Sequence, residues 1–266
     1  MPIIDFHAHA FPDSLAPRAL AALEEHSGDY KPLLDGTLSD LLRSMDAAGV
    51  DVSVVCSIAT NPRQVDPIIR WSEEIRSDRL IPLPSVHPAG DCASQIREIA
   101  SRGFKGIKLH PQYQSFSVDS EQALPIYQAL SETGLLLALH AGWDIAFPGD
   151  ESASPDKIAR IVDRFPEMRL VAYHLGGWRE WDLVLQHLAG KNLYFDTSFT
   201  LGDASPEMVE KITTIHGWDK VVFGTDSPWA DQAEEVAKVR ALGLDHQTEQ
   251  AVLGLTAALL LGLGPP

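Results

Sequence analysis

Short apolar runs alternate with amphipathic stretches eight times along the chain. The runs occupy residues 3–9 (IIDFHAH), 50–58 (VDVSVVCSI), 80–87 (LIPLPSVH), 104–110 (FKGIKLH), 135–141 (LLLALHA), 169–175 (RLVAYHL), 192–198 (NLYFDTS) and 220–227 (KVVFGTDS). Turn residues bound each run, and most are continuously apolar, as parallel strands covered on both faces should be. Helical patterns fall between them, over roughly 64–77, 91–102, 120–133, 154–164, 178–189 and 231–242. Two further helices carry end signals. LSDLLRSMDAAG offers Ser39 as N-cap and stops at Gly49, and SPEMVEKITTIHG has Ser205 as N-cap, Pro206 at the first helical position and Gly217 beyond the end. Strict strand-helix alternation predicts an α/β fold of one domain, a closed (β/α)8 TIM barrel spanning residues 1–266. The long connection over residues 10–38, with three prolines and two glycines, reads as an irregular loop over the barrel mouth. Residues 245–263 read as a final packing helix.

Strand alternation puts Asp5, His7 and His9 on one face of the first run and Phe6 and Ala8 on the other. Two imidazoles on one strand face form a chelating geometry. The same count places His87, Lys108, His110, His140, His174, Asp196 and Asp226 at the C-terminal ends of later strands, which converge on one mouth in such a barrel. Six of the ten histidines fall there; His26, His187, His216 and His246 do not. Imidazole is the commonest ligand of zinc-like metals, and a catalytic site needs about three protein ligands with one position open.

Composition narrows the function classes. Lys and Arg total 21 against 37 Asp and Glu, a net charge of −16 with no basic run, so nucleic acid is not an expected partner. Two cysteines, Cys56 and Cys92, are too few for a disulfide framework, which points to a reducing cytoplasm. No signal peptide is expected, and the tail AVLGLTAALLLGL is too short and glycine-interrupted to span a membrane. The expected partner is a small-molecule substrate; assembly into a homo-oligomer stays open.

In order along nearly the whole chain, the motifs DFHAH, GFKGIKLHP, ALHAG, YHLGG and FGTDSPW resemble those of the amidohydrolase superfamily, more narrowly amidohydrolase family 2, whose members are metal-dependent hydrolases and decarboxylases. The resemblance implies that His7, His9 and His140 bind the metal, and that Asp226 binds or approaches it while exchanging protons. It gives His174 a role in activating water or polarising substrate in single-metal relatives, or in holding a second ion. One departure concerns the last helix, where Thr256 stands at a position that is often Asn in relatives.

An ion on these ligands, zinc by expectation with manganese as the alternative, would bring the pKa of bound water from about 15.7 toward 7. The expected activity is hydrolysis of a small cyclic or acyl substrate, a lactone, amide or ester with or without a carboxylate, with Asp226 moving the proton and His174 stabilising the oxyanion. Non-oxidative decarboxylation of an aromatic or enoic acid is the alternative, and a non-catalytic metal-binding barrel the alternative of another class. Lys108 and His110, on one face of the fourth strand, point toward substrate, with Lys108 read as a free ammonium over one ion rather than a carboxylated bridge between two. Trp143, Trp178 and Trp229 follow site residues closely and are expected to ring the mouth, with Arg179 and Arg63 within reach of an anionic group.

Overall fold

A computed structural model describes residues 1–263. Eight parallel strands follow in chain order: β1 (Ile4–Ala8), β2 (Val52–Cys56), β3 (Leu80–Leu83), β4 (Gly106–Leu109), β5 (Leu136–Leu139), β6 (Leu170–Ala172), β7 (Tyr194–Asp196) and β8 (Val221–Val222). They form two ladders, β1-β2-β3 and β4-β5-β6-β7-β8. Two seams close these ladders into a barrel. At the β8–β1 seam Phe6 N donates to Phe223 O at 2.8 Å, Asp226 N to His7 O at 2.7 Å and His9 N to Ser227 O at 2.6 Å. The β3–β4 seam is thinner because Pro82 and Pro84 have no N–H to give. There Lys108 N donates to Pro84 O at 2.9 Å, and the Ser85 hydroxyl returns a bond to Lys108 O at 2.8 Å.

Inside the barrel, Ile4, Phe6, Val54, Leu83, Leu136, Ala138, Val171 and Val222 form one apolar cluster. Alternate positions such as Ile107, Leu137, Leu139 and Phe223 join the larger core between strands and helices. That two-sided burial is why the strands read as continuous apolar runs. The helices Val65–Ile75, Cys92–Ser101, Leu124–Thr133, Pro155–Arg164, Trp181–His187, Pro206–His216 and Gln232–Ala241 fall where expected, and Ser205 caps its helix by accepting from Met208 N. In the helix Leu38–Ala48 the cap is Thr37, not Ser39: the Thr37 side chain accepts from Asp40 N.

Two segments differ from expectation. Residues 10–38 hold a nine-residue helix, Ala16–Glu24, because APRALAALE combines strong helix formers with a proline confined to the first turn. Its flanks are pinned by Phe11 N to Gly36 O and Leu33 N to Pro228 O. The final helix is broken into His246–Gln250, a π-helical turn Ala251–Leu255 and Thr256–Leu261. Gly254 lies so close to Pro2 O that a Cβ would come within 2.1 Å of it. Ala257, Leu260 and Leu261 then join the interior cluster and close the N-terminal end of the barrel. Thr256 lies within this helical run rather than capping it, and its hydroxyl donates to Asp219 O. No helix among the described residues is long and apolar enough to cross a membrane.

Candidate metal centre

The first strand does not alternate simply. Ile4 pairs with Val52 and Asp5 with Ser53, but Ala8 pairs with Val55, so β1 carries one extra residue between Asp5 and Ala8. This bulge changes which side chains share a face. Ile4 and Phe6 point into the barrel, whereas Asp5 turns away from it and accepts from Thr225 Oγ1 and Gln232 Nε2, both at 2.7 Å. Past the bulge, His7 and His9 turn to the mouth and Ala8 joins the outer core. The expected grouping of Asp5 with the two histidines, and of Phe6 with Ala8, is therefore corrected. Burial pushes the Asp5 carboxyl up to about 6, and its four hydrogen bonds oppose the rise.

Fixed acceptors decide the proton positions on both rings. His9 Nδ1 faces Cys56 O at 2.8 Å and must donate to it. His7 Nδ1 faces Asp196 Oδ2 and Ser198 Oγ, each at 3.0 Å; the hydroxyl is itself donated to Asp196 Oδ2, so both are acceptors for the ring. Each Nε2 then carries a lone pair. These two atoms lie 3.1 Å apart, and Asp226 Oδ1 lies 3.2 Å from the first and 3.1 Å from the second. Three acceptors meeting at that distance repel one another unless a proton or a cation lies among them. The donor set fits a divalent ion, with imidazole nitrogens and a carboxylate oxygen as ligands.

A second convergence lies alongside. His140 Nε2 donates to Trp143 O at 3.0 Å and His174 Nδ1 to Ser198 O at 3.1 Å, which leaves His140 Nδ1 and His174 Nε2 as lone pairs 3.1 Å apart. Among the described residues three side-chain groups have ligand spacing: His7, His9 and Asp226; His7, His174 and Asp196; and His110, His140 and Asp144. His140 thus groups with His110, not with the His7, His9 and Asp226 triad. His110 stacks on it at 3.9 Å between centroids and directs Nε2 at Asp144 Oδ2, 3.2 Å away.

Burial, followed by the charge of Lys108 and the neighbouring imidazoles, holds His7 and His110 well below the usual histidine range, and His140 is held down by burial and then by His110 and His174. Neutral imidazole is the form that binds a metal. Burial also lowers His174 and pushes Asp196 well up. Lys108 is fully buried, with Nζ 3.4 Å from His7 Nε2 and 3.8 Å from the centre of the Tyr173 ring; burial lowers its ammonium to about 8. His174 and Asp226 both sit in the left-handed region, at φ of 60° and 63°. Such backbone costs on the order of 1 kcal/mol or more in a non-glycine residue, and the hydrogen bonds His174 N to Asp196 Oδ1 and Asp226 N to His7 O hold it. Gly224 lets Asp196 into this space: a Cβ there would lie 2.6 Å from Asp196 Oδ2.

The cluster floors a cavity of about 560 Å³ lined by His7, His9, Lys108, His110, His140, Asp144, Asp226, Tyr113 and Trp229, with apolar walls above. Several sequence expectations fail here. Trp178 is buried with its indole donating to Asp203 Oδ2, and Arg179 is exposed, stacked on the Trp178 ring at 4.2 Å and bonded to Tyr30; neither lines the cavity. Trp143 contributes its carbonyl to His140 but turns its indole to Glu180, whose carboxyl burial pushes up to about 7. Arg63 is exposed, and His87 lies in the β3 loop accepting from Ala89 N. His174 is behind the cavity wall rather than on it. Residues that sequence reasoning passed over include Asp144, Ser198 and Tyr173, whose ring stacks on His7 at 3.7 Å; the alternation in DTS, placing Ser198 on the Asp196 face, was the one available signal.

A family model described as amidohydrolase matches residues 4–263. No curated protein matches in sequence. Among solved structures, 5-carboxyvanillate decarboxylase from Novosphingobium aromaticivorans, determined with manganese and 4-hydroxy-3-methoxy-5-nitrobenzoic acid, is 19% identical with a TM-score of 0.72, over 98% of this chain and 96% of that one. A 2,6-dihydroxybenzoate decarboxylase from Rhizobium is 16% identical with a TM-score of 0.69 over all of both chains. A candidate 2-pyrone-4,6-dicarboxylic acid hydrolase from Pseudomonas putida is 19% identical with a TM-score of 0.69, over 100% of this chain and 99% of that one. At these identities the likeness is one of fold.

Proposed function

This chain belongs to amidohydrolase family 2, and from that premise we propose that it is a metal-dependent non-oxidative decarboxylase of a small aromatic acid. The observation that carries the reading is the make-up of the cavity. Lys108 is the one lysine or arginine among its lining residues, it lies beside the convergent lone pairs, and the walls above are apolar. A carboxylate drawn to that floor loses water on entry, and losing carbon dioxide relieves its buried charge. The two decarboxylases of similar fold support the assignment, and the hydrolytic reading of the sequence becomes the second choice.

His7, His9 and Asp226 would hold one divalent ion, with His140 and His174 adjacent. When bound, the ion supplies a Lewis-acidic centre that orients the substrate's oxygens. Zinc suits the imidazole-rich set, and manganese is found in the Novosphingobium decarboxylase. Lys108 pairs with the anionic substrate, and the imidazoles stay neutral. As the ring–carboxylate bond breaks, carbon dioxide leaves and the electron pair remains on the ring carbon, which takes a proton that Asp226 Oδ2, the oxygen not turned to His7 and His9, has first received from solvent. Hydrolysis keeps two supports: a carboxylate at Asp226 is equally placed to take a proton from water, and the Pseudomonas protein of similar fold carries a candidate hydrolase assignment.

Metal analysis with a screen of hydroxybenzoates and pyrone lactones tests both readings. Carbon dioxide release from an aromatic acid, abolished with the metal in His7→Ala and His9→Ala, is expected. Ring opening with all carbon retained would move the assignment to hydrolase, and full metal content in both variants would remove the proposed ligand set.

A further inference from the structure

The cavity continues outward from the histidine floor into a cleft between two helices, and the side chains those helices turn into it are apolar, with Ser27, Thr60 and Gln64 the polar residues lining the cavity beside them. Leu15, Ala19, Ala22 and Leu23 line it from the segment that forms Ala16–Glu24, at intervals of four, three and one, which is one helical face. Ile68 and Trp71 line the opposite side from Val65–Ile75, again one face. Every charged residue of those two helices, Arg18, Glu24, Asp66, Arg70, Glu73 and Glu74, lies off the cavity lining. Leu15, Leu23, Ile68 and Trp71 remain only half buried. A helix is free to place such residues against the core or polar ones toward an opening, so two helices aiming apolar side chains into one open cleft mark a surface completed by a ligand.

Continuity identifies the ligand, because the cleft and the reactive floor are one cavity. A single-ring acid seated on the floor fills only part of about 560 Å³. We infer that the substrate carries an apolar substituent, an alkyl chain or second ring remote from its carboxylate, that lies between helices Ala16–Glu24 and Val65–Ile75. This selectivity rests on the proposed decarboxylase reading for where the carboxylate sits, but it has its own measurement.

Binding of salicylate and its 4-methyl to 4-hexyl derivatives to the metal-loaded protein, followed by calorimetry, tests it. Each added methylene is expected to tighten Kd by up to about fourfold until the chain emerges from the cleft. In Ala19→Trp, which fills the cleft, the dependence on chain length should vanish, and in Ile68→Ala the hexyl derivative should lose about tenfold. Thermal melts of both variants establish that they fold. A Kd independent of chain length, an unchanged dependence in both variants, or no binding by any member overturns the inference. Metal content and product analysis on the same samples separate the two proposals. A protein that favours the longer acids yet binds no metal or releases no carbon dioxide defeats the decarboxylase reading alone. A metal-loaded decarboxylase indifferent to chain length defeats the subsite alone.

Discussion

Asp196 Oδ2 accepts from His7 Nδ1 at 3.0 Å while the opposite nitrogen of the same ring faces His9 and Asp226. One carboxylate thereby fixes both the tautomer and the orientation of a proposed metal ligand. Asp196→Asn is expected to weaken metal affinity by about 10- to 100-fold, as such supporting partners do. Competition against a chelator of known affinity measures it. An unchanged affinity would mean that Ser198 and the Tyr173 stack hold the ring unaided.

Asp226 is expected to separate binding from chemistry. Asp226→Asn keeps an oxygen for the ion but carries no exchangeable acid proton, so it should retain much of the metal and lose at least about a hundredfold in kcat. Metal content and turnover on one preparation decide this. Near-normal turnover would take Asp226 out of the proton path.

Lys108→Met replaces the buried ammonium with an apolar chain of similar length. If Lys108 pairs with the substrate, KM rises strongly while about one metal per chain remains. If the lysine were instead carboxylated and bridged two ions, the parent would hold two metals and the variant fewer. Metal stoichiometry measured side by side distinguishes these.

His216 offers a pH test away from the cavity. It is buried against Phe195, its Nδ1 accepts from Gly190 N, and Nε2 has no partner; burial lowers its pKa to about 4. The folded state therefore resists a proton that the unfolded chain takes up near pH 6.5. Its contribution to stability is complete above about 6.5, is lost as the pH falls toward 4, and amounts to roughly 3 kcal/mol over that window. The difference in unfolding free energy between His216→Gln and the parent should shift in the variant's favour from pH 7 to pH 4. A difference independent of pH would show that the folded protein takes up the proton at His216 as readily as the unfolded chain does.

Strand positions were legible because both faces of each strand are buried, which leaves long apolar runs between helical patterns. Some residues at strand ends were legible for the same reason: Lys108 pairs with Ala138, two residues before His140, which keeps Lys108 and His140 on the barrel side. What the sequence hid depended on partners far along the chain. The bulge in β1 follows from its pairing with β2, so alternation alone put Asp5 beside His7. The helix Ala16–Glu24 was masked by prolines and glycines around it, although the nine residues themselves favour helix. Spacing after a histidine could not tell that Trp178 faces Asp203 and that Arg179 lies outside, because both follow a left-handed turn at His174 and Leu175. Gly142 takes part in the same arrangement: at φ 80° it packs against the Trp178 backbone, where a Cβ would come within 2.2 Å of N.

The division of the barrel into a three-strand and a five-strand ladder, with prolines thinning the seam between β3 and β4, sets the mechanical role of a bound ion. On the proposed ligand set, His7 and His9 come from the smaller ladder and Asp226 from beyond the end of the larger one. An ion there is a rivet across the opposite seam, between halves that share few backbone bonds. Removing it would loosen the two halves against each other as well as stop the chemistry, and amide exchange should quicken first in β1 to β3. Catalytic competence and the integrity of the closed barrel would then be lost together, over one range of chelator concentration.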